Sequence, residues 1–266
     1  MPVPYFYTFR LRRAKLALAV AIAVAAVVGG GYARVFAPGE AASGPLAGHR
    51  ITVDPGHGGI DPGCHRGDTF EKAIVLDIGL LLAETLRDLG ADVRITREVD
   101  TELSHLTDTE STRHRRDLAA RVKLAREHNA TLLLSLHVNS AQSSGMGGAM
   151  VFYHPGSSEG RRIAEHLLEH LSAVVPGNQN GVLPADYYIL RHAPMTAVLV
   201  EAGFISNPVD RALLESAEGR RLIADAVARG LVSALAPGAG PVPVPVPSSG
   251  DQLLTGDSHP CQGESQ

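Results

Sequence analysis

Cysteine is scarce in this chain of 266 residues, which contains only Cys64 and Cys261. Two cysteines are too few for a disulfide scaffold, so the fold has to rest on a hydrophobic core. A hydrophobic content of 44% makes such a core feasible in a chain of this length. A single disulfide is permitted in an exported protein. Because Cys261 lies in a segment with the composition of a disordered tail, we nevertheless expect no structural disulfide.

A basic surface is missing as well. The formal net charge is −4, and four of the cations lie within the first 15 residues: Arg10, Arg12, Arg13 and Lys15. Without them, 20 basic residues remain against 28 acidic ones, a net charge of −8. Proteins that bind nucleic acid usually need a basic face. The composition therefore argues against a nucleic-acid partner.

The basic N-terminal cluster is followed by an apolar run, residues 16–33, without a charged side chain. This layout is typical of a signal peptide or an N-terminal membrane anchor. The run is short for a membrane span of roughly 20 residues, but its length favours an uncleaved anchor over a signal peptide cut near Ala37 or Ala42. A buried core helix is the third alternative. Basic residues before the run predict a cytoplasmic N-terminus, with the remaining chain outside the membrane.

Composition divides the chain into four segments: a signal peptide or membrane anchor (1–33), a linker rich in Ala, Gly and Pro (34–49), a folded body (50–236) and a Pro-rich tail (237–266). The tail contains the stretch PGAGPVPVPVPSSG, which is typical of an extended spacer followed by disorder. No internal repeat is present.

Within the body, short apolar runs alternate with segments of helical periodicity. Strand patterns occur at 51–53, 92–96, 131–136, 148–153 and 197–201, and helical patterns at 74–89, 115–128, 161–171 and 220–235. The run 131–136 is continuously apolar, as expected for a strand covered on both faces. The alternation predicts an α/β fold, namely a single domain with a mostly parallel or mixed twisted sheet of about six strands and helices on both sides.

Three predicted strands end in side chains that can bind a metal or transfer a proton. His57 follows the first strand in DPGHGG, His137 ends the buried strand in SLHVN, and Glu201 ends the last strand in VEAG. Glu71 stands at the start of the long helix after the first loop. Because ligands of such sheets bind at the carboxyl ends of the strands, we expect these four side chains to converge.

Two imidazoles and one carboxylate are a familiar set of zinc ligands in hydrolases, where a fourth position is left for water. Zinc lowers the pKa of that water to about 7, and a second carboxylate can pass a proton to the leaving amine. We therefore predict His57, Glu71 and His137 as zinc ligands and Glu201 as the catalytic carboxylate. Taken singly, each residue has an ordinary structural explanation, such as a hydrogen-bonded histidine or a favourable charge in a first helical turn.

An imidazole that binds a metal normally donates its other N–H to an oxygen, which fixes its orientation. Asp54, three residues before His57, is a candidate for that role.

The chain resembles the zinc amidases of the Amidase_3 type. The words DPGHGG (54–59), FEK (70–72), SLHVN (135–139) and VEAGFISNP (200–208) match the family's motifs in order and spacing. The resemblance covers about residues 50–236. It implies that zinc is held by the two histidines and the glutamate of the first three words, and that the glutamate of the fourth is the essential catalytic carboxylate.

Two more segments are similar to the family. Asn139 matches a recurrent asparagine after the second histidine, which implies that it supports the site or contacts substrate. Residues 113–121 (RHRRDLAAR) are similar to a further family segment, but a capped helix whose arginines pair with nearby acids is the simpler interpretation.

The resemblance implies hydrolysis of the amide between N-acetylmuramic acid and L-alanine in peptidoglycan. The short N-terminal anchor, the compact body and the stretch 187–208 are most similar to sporulation amidases of the CwlD type, which act in spore-cortex synthesis before muramic-δ-lactam forms. Some of these amidases need a lipoprotein partner, so a lipoprotein activator stays open for this chain. The expected location is extracytoplasmic, either secreted or anchored to the membrane, in the cell wall or the forespore intermembrane space.

Other functions stay open beside this one. A general cell-wall or cell-separation amidase would carry the same motifs. A non-catalytic peptidoglycan-binding regulator could share the fold, but the intact set His57, Glu71, His137 and Glu201 argues against it. A metallopeptidase acting on the stem peptide would be expected to contain HExxH, which is missing from the sequence.

Overall fold

A sheet of mostly parallel strands, covered by helices on both faces, forms the body of the protein. The computed structural model describes residues 43–240 and the backbone of residues 254–255. The predicted anchor (1–33), most of the linker and most of the Pro-rich tail lie outside these residues, and the predicted segment boundaries stay predictions. Among the described helices, none has both the length and the apolar character needed to cross a bilayer.

The strands are β1 (Arg50–Pro55), β2 (His65–Arg66), β3 (Thr69–Phe70), β4 (Asp92–Ile95), β5 (Leu132–Asn139), β6 (Met150–Tyr153), β7 (Gly181–Asp186), β8 (Thr196–Phe204) and β9 (Leu254–Thr255). The main sheet has the order β4-β1-β5-β8-β6-β7-β9, and β2 pairs with β3 in a small hairpin. Neighbours in the main sheet are parallel except for β6, which runs antiparallel to β8. The predicted α/β sheet of about six strands is confirmed, with the short β9 in addition.

The helices are α1 (Glu71–Asp88), a 3-10 turn (Ser104–Leu106), α2 (Arg113–Glu127), α3 (Ser158–Ser172), α4 (Tyr188–His192), α5 (Pro208–Glu215) and α6 (Ala217–Leu235). Polar side chains begin four of them, because an oxygen at the N-cap accepts a hydrogen bond from an otherwise unpaired N–H of the first turn. These caps are Thr112, Ser157, Asn207 and Ser216. Gly90, with a φ of 93°, follows the end of α1 as the sequence predicts.

Alternating residues of the central strands build two hydrophobic clusters. In β5, Leu132, Leu134 and Leu136 pack against α1, α3 and α6, whereas Leu133 packs on the opposite face against α2 and α4. Strand β8 alternates in the same way. Because side chains of a strand point to opposite faces in turn, a continuously apolar strand such as β5 requires helices on both sides. That is the layering which the sequence predicts.

The sequence patterns do not predict four short elements: the hairpin β2–β3, strand β7, and helices α4 and α5. Strand β7 contains Pro184 and lies toward the edge of the sheet, where half-buried residues show little alternation. Helices α4 and α5 have five and eight residues, which is too short for a clear helical period.

A buried ion pair joins β1 to α2. Arg121 Nη1 lies 2.8 Å from Asp54 Oδ1, and Arg121 Nε lies 2.7 Å from Asp117 Oδ2. Asp54 also accepts hydrogen bonds from the hydroxyls of Thr96, at 2.7 Å, and Ser135, at 2.8 Å. Burial raises the pKa of Asp54, but the charge of Arg121 and the two hydroxyls outweigh that effect and hold the pKa below its ordinary value. The carboxylate therefore belongs to the packed interior.

We predict that Asp54→Asn lowers the free energy of unfolding by about 3 kcal/mol, because removing one partner leaves a buried charge partly uncompensated. Urea unfolding at neutral pH measures this change. The matched control is Asp77→Asn, which removes a surface partner of Arg220 at 3.2 Å and should cost less than about 1 kcal/mol. Equal costs for the two variants would contradict the prediction.

The same carboxylate should contribute to acid sensitivity. Because the folded-state pKa of Asp54 lies below the unfolded value of about 3.9, its contribution is fully present above that unfolded value and is lost as the pH falls through the folded pKa. In Asp54→Asn, the decline of stability below about pH 4 should therefore be shallower than in the wild type. Urea midpoints measured between pH 2 and 7 check this.

Candidate metal centre

The loop after β1 turns sharply and directs His57 toward the carboxyl end of the sheet. His57 itself has a φ of 57°, in the left-handed region that non-glycine residues seldom adopt. Glycine is required at two positions around it. A Cβ on Gly56 would overlap the ring of His137, and a Cβ on Gly63 would collide with both Glu71 and His57. The glycines of this loop therefore allow the three side chains to approach one another.

His57, Glu71 and His137 are buried, and each offers one ligand atom within 4.8 Å of the others. Glu71 Oε1 lies 3.1 Å from His57 Nε2 and 3.1 Å from His137 Nδ1. Tetrahedral zinc, with bonds of about 2.0–2.2 Å, sets neighbouring ligand atoms about 3.3 Å apart. The spacing and the donor types both fit zinc. Among the described residues, no other group of His, Cys, Asp and Glu meets the same criterion.

Glu71 is held from both sides by main-chain donors. The Val138 N–H donates to Oε1 at 2.8 Å, and the Cys64 N–H donates to Oε2 at 2.8 Å. The Glu71 N–H donates in turn to the Cys64 carbonyl at 2.8 Å. One carboxylate oxygen therefore faces the imidazoles while the other is fixed to the loop.

Cys64 is buried and disulfide-bonded. The expectation that the chain has no structural disulfide is therefore wrong. That expectation rested on the polar composition around Cys261, which lies outside the described residues.

Asp61 supplies the oxygen that orients His57. Its Oδ2 lies 2.9 Å from His57 Nδ1, and its Oδ1 accepts a hydrogen bond from the Gly63 N–H at 3.1 Å. Sequence reasoning considered Asp54 for this role and did not single out Asp61. The available signal was a carboxylate four residues after the histidine in the same glycine-rich loop.

The charges around His57 favour its protonated form when no metal is bound. Burial lowers the pKa of His57, but the charge of Glu71 and the hydrogen bonds of Asp61 and Glu71 outweigh it and raise the pKa to about 10. Burial raises the pKa of Asp61, and its contact with His57 reverses that effect and holds the pKa well below its usual range. A bound cation would take the place of that proton, since metals bind neutral imidazole.

Glu201 is fully buried in β8 and is the register partner of His137 in β5. Register partners on adjacent parallel strands project from the same face of the sheet, so the two side chains share one face. Tyr187 lies near Glu201, and its pKa is raised by burial and by the glutamate's charge. The phenol therefore stays protonated. Sequence reasoning did not identify Tyr187, because the similarity of the stretch 187–208 assigns no role to its first residue.

The two supporting candidates have other contacts. Asp54 lies in the ion pair with Arg121, described above. The Asn139 side chain accepts a hydrogen bond from the Ser140 N–H at 2.7 Å, and the Asn139 carbonyl accepts one from the Ile205 N–H at 2.8 Å. Asn139 thus fastens the end of β5 to the segment after β8. A direct role for either residue toward the ligands or substrate stays a prediction.

Comparisons with known proteins agree with this geometry. The family model Amidase_3, described as N-acetylmuramoyl-L-alanine amidase, matches residues 51–233. The germination-specific N-acetylmuramoyl-L-alanine amidase of Bacillus subtilis is 32% identical over 190 residues, which cover 71% of this chain and 80% of that protein. The B. subtilis amidase LytC is 32% identical over 191 residues, 71% of this chain but 36% of LytC.

A solved structure shares the fold at the same level of identity. The amidase CwlD of Clostridioides difficile, in complex with the lipoprotein GerS, superimposes with a TM-score of 0.64 at 32% identity. The match covers 70% of this chain and 98% of the CwlD chain.

We predict that His57→Ala and His137→Ala each lower the zinc content from about one ion per chain to well below it, because each would remove one of the three predicted protein ligands. Elemental analysis after dialysis against limiting zinc measures the stoichiometry. His105→Ala, at an exposed position outside the cluster, is the matched control and should keep its zinc. Unchanged stoichiometry in the two ligand variants would contradict the ligand set.

Proposed function

The chain belongs to the Amidase_3 family of N-acetylmuramoyl-L-alanine amidases, and we propose that it uses zinc to release stem peptides from peptidoglycan. The bond cleaved is the amide between the lactyl group of N-acetylmuramic acid and L-alanine. The observation that carries the proposal is the buried cluster His57, Glu71 and His137, whose atoms lie within 4.8 Å of one another at the carboxyl ends of the strands.

The three cluster residues would hold the metal. Zinc, when bound, supplies a Lewis acid for the scissile carbonyl and lowers the pKa of water to about 7. The protein's own contribution is to hold the ligands in place. Asp61 fixes the ring of His57 through its 2.9 Å contact, and the Val138 and Cys64 N–H groups fix Glu71 at 2.8 Å. Support of this kind, outside the ligands themselves, sets ligand orientation and basicity.

Glu201 would handle the proton. Hydrolysis adds a hydroxyl group to the carbonyl carbon and a proton to the departing nitrogen, which cannot leave readily as an anion. Glu201, the register partner of the candidate ligand His137 on the same face of the sheet, would take the proton from water and pass it to that nitrogen. Burial of Glu201 keeps this transfer away from bulk solvent.

We predict that Glu201→Gln lowers the rate of stem-peptide release by at least about 100-fold while zinc stays bound, since the amide cannot carry the proton and the ligands are untouched. Chromatography and mass spectrometry of digested peptidoglycan, with zinc analysis of the same sample, measure both quantities. Glu84→Gln, at an exposed position of α1, is the control. Full activity in Glu201→Gln would remove this residue from the mechanism.

The biological setting that we propose is spore-cortex maturation, in which peptides are stripped from muramic acid before muramic-δ-lactam forms. The likeness to the germination-specific amidase and to CwlD supports it. LytC has the same identity, so a general cell-wall amidase is the alternative. Residues 1–33 would retain the enzyme outside the cytoplasmic membrane, and the lipoprotein in the CwlD structure supports a lipoprotein activator here too.

Expression in a B. subtilis strain that lacks its germination-specific amidase separates the two settings. We predict that the chain restores muramic-δ-lactam to the spore cortex, measured by muropeptide analysis. Cortex without lactam, together with stem-peptide release from vegetative walls, would favour the general amidase. If a lipoprotein partner is needed, the isolated chain binds zinc and releases no peptide until that partner is added.

A further inference from the structure

Arg97 is hydrogen-bonded to both chain segments that carry the first two candidate ligands. Its Nε donates to the Pro55 carbonyl at 3.0 Å, and its Nη2 donates to the Gly56 carbonyl at 2.8 Å. The same Nη2 donates to the Lys72 carbonyl at 2.8 Å. Pro55 and Gly56 directly precede the ligand histidine, and Lys72 directly follows the ligand glutamate. One guanidinium group therefore bridges the loop after β1 and the first turn of α1.

Arg97 is 3% exposed, and the hydrogen bonds described for its guanidinium all end on main-chain carbonyls. Burial lowers the pKa of Arg97, and the charge of Arg121 lowers it further, to about 10. The group is therefore still a cation at neutral pH. A buried cation that points at backbone oxygens rather than at one carboxylate holds chain segments in place.

The loop that it holds needs such support. His57 adopts a left-handed conformation, which a non-glycine residue keeps only when its surroundings fix it. Arg121 assists, since it donates to the Pro55 carbonyl at 2.7 Å and to the His57 carbonyl at 2.6 Å. With the bonds from Arg97, three successive carbonyls of the loop are held by two guanidinium groups. Of the hydrogen bonds described for these two guanidinium groups, only one from Arg97 reaches the α1 segment that begins with Glu71.

The third ligand depends on the same loop residue. The Gly56 N–H donates to the Leu136 carbonyl at 2.9 Å, and the ring of His137 packs where a Cβ of Gly56 would be. A shift of Gly56 would therefore move the loop relative to β5 as well as to α1. The carbonyl that Arg97 holds thus belongs to a residue that is also in contact with the segment of the third candidate ligand, His137.

We propose that Arg97 is a positioning residue that fixes the separation between His57 and Glu71 and thereby sets the affinity of the cluster for zinc. The inference rests on the proposed function for the identity of the metal. Arginine suits the role because its planar fork offers several N–H groups in fixed directions, whereas a lysine ammonium is a compact charge on a flexible stem. Arg97→Lys keeps the charge and removes the bridge.

The experiment compares Arg97→Lys with Arg87→Lys. Arg87, on α1, donates a single hydrogen bond to the Val93 carbonyl at 3.1 Å, so it controls for loss of an arginine–carbonyl contact away from the cluster. Zinc affinity is measured on the purified chain by competition with a chelator, and the visible spectrum of the cobalt-substituted chain reports ligand geometry. We expect Arg97→Lys to bind zinc about 10- to 100-fold more weakly with an altered cobalt spectrum, and Arg87→Lys to match the wild type.

A second measurement separates ligand positioning from general stability. Urea unfolding with and without saturating zinc gives the stabilisation contributed by the metal, which depends on its affinity for the folded state. Positioning predicts that this zinc-dependent gain shrinks in Arg97→Lys. An unchanged gain, with stability lowered equally in both conditions, would overturn the proposal, as would wild-type zinc affinity and spectrum.

Arg97→Gln is measured in the same way, so that the conclusion does not depend on one variant. If neither variant folds even with zinc, Arg97 serves the fold as a whole and the proposal is overturned. Failure of the wild-type chain to bind zinc would refute the proposed function instead. Zinc binding by the wild type with equal affinity in the Arg97 variants would refute this inference alone.

Discussion

The buried carboxylate of Glu71 is the constraint on which the candidate site depends. A charge removed from water has to be paired and hydrogen-bonded, and Glu71 meets that requirement with two imidazoles and two main-chain N–H groups. These four partners come from three parts of the chain. The loop after β1, the hairpin region before α1 and the end of β5 are therefore tied to one point.

With increasing distance from Glu71, groups of positive and negative charge follow one another in turn. Asp61 lies behind His57, the carbonyls of the His57 loop accept hydrogen bonds from the cations Arg97 and Arg121, and Arg121 pairs in turn with Asp54. Because each buried charge is paired with one of opposite sign, several ionised groups can be buried together, although burial of any one of them alone would be unfavourable. It also links the loop to helix α2, so that the packing of the domain and the placement of the ligands are supported by the same interactions.

The sequence predicts the layers and the ligand set because both follow from local rules. Apolar alternation at periods of 2 and 3.6 marks strands and helices, and parallel strands gather their carboxyl ends at one edge. The orienting oxygen of His57 was not predictable in this way, since Asp54 and Asp61 lie three and four residues from His57 and the turn at Gly58 and Gly59 decides between them. Arg97 was missed because its hydrogen bonds reach carbonyls as far as 42 residues away in sequence, Tyr187 because the stretch 187–208 assigns it no role, and the disulfide of Cys64 because composition says nothing about pairing.

The strand order has a consequence for how the protein acquires its site. Strand β5 lies between β1 and β8, so neighbouring strands are far apart along the chain; Asp54 and Ser135, for example, are 81 residues apart. Contacts of long sequence separation form slowly. His57 and Glu71 belong to adjoining segments, whereas His137 joins them only when β5 has inserted. We therefore expect the three candidate ligands to come together late in folding, after β5 has paired with β1 and β8. Metal binding would then occur only in chains whose central sheet is complete.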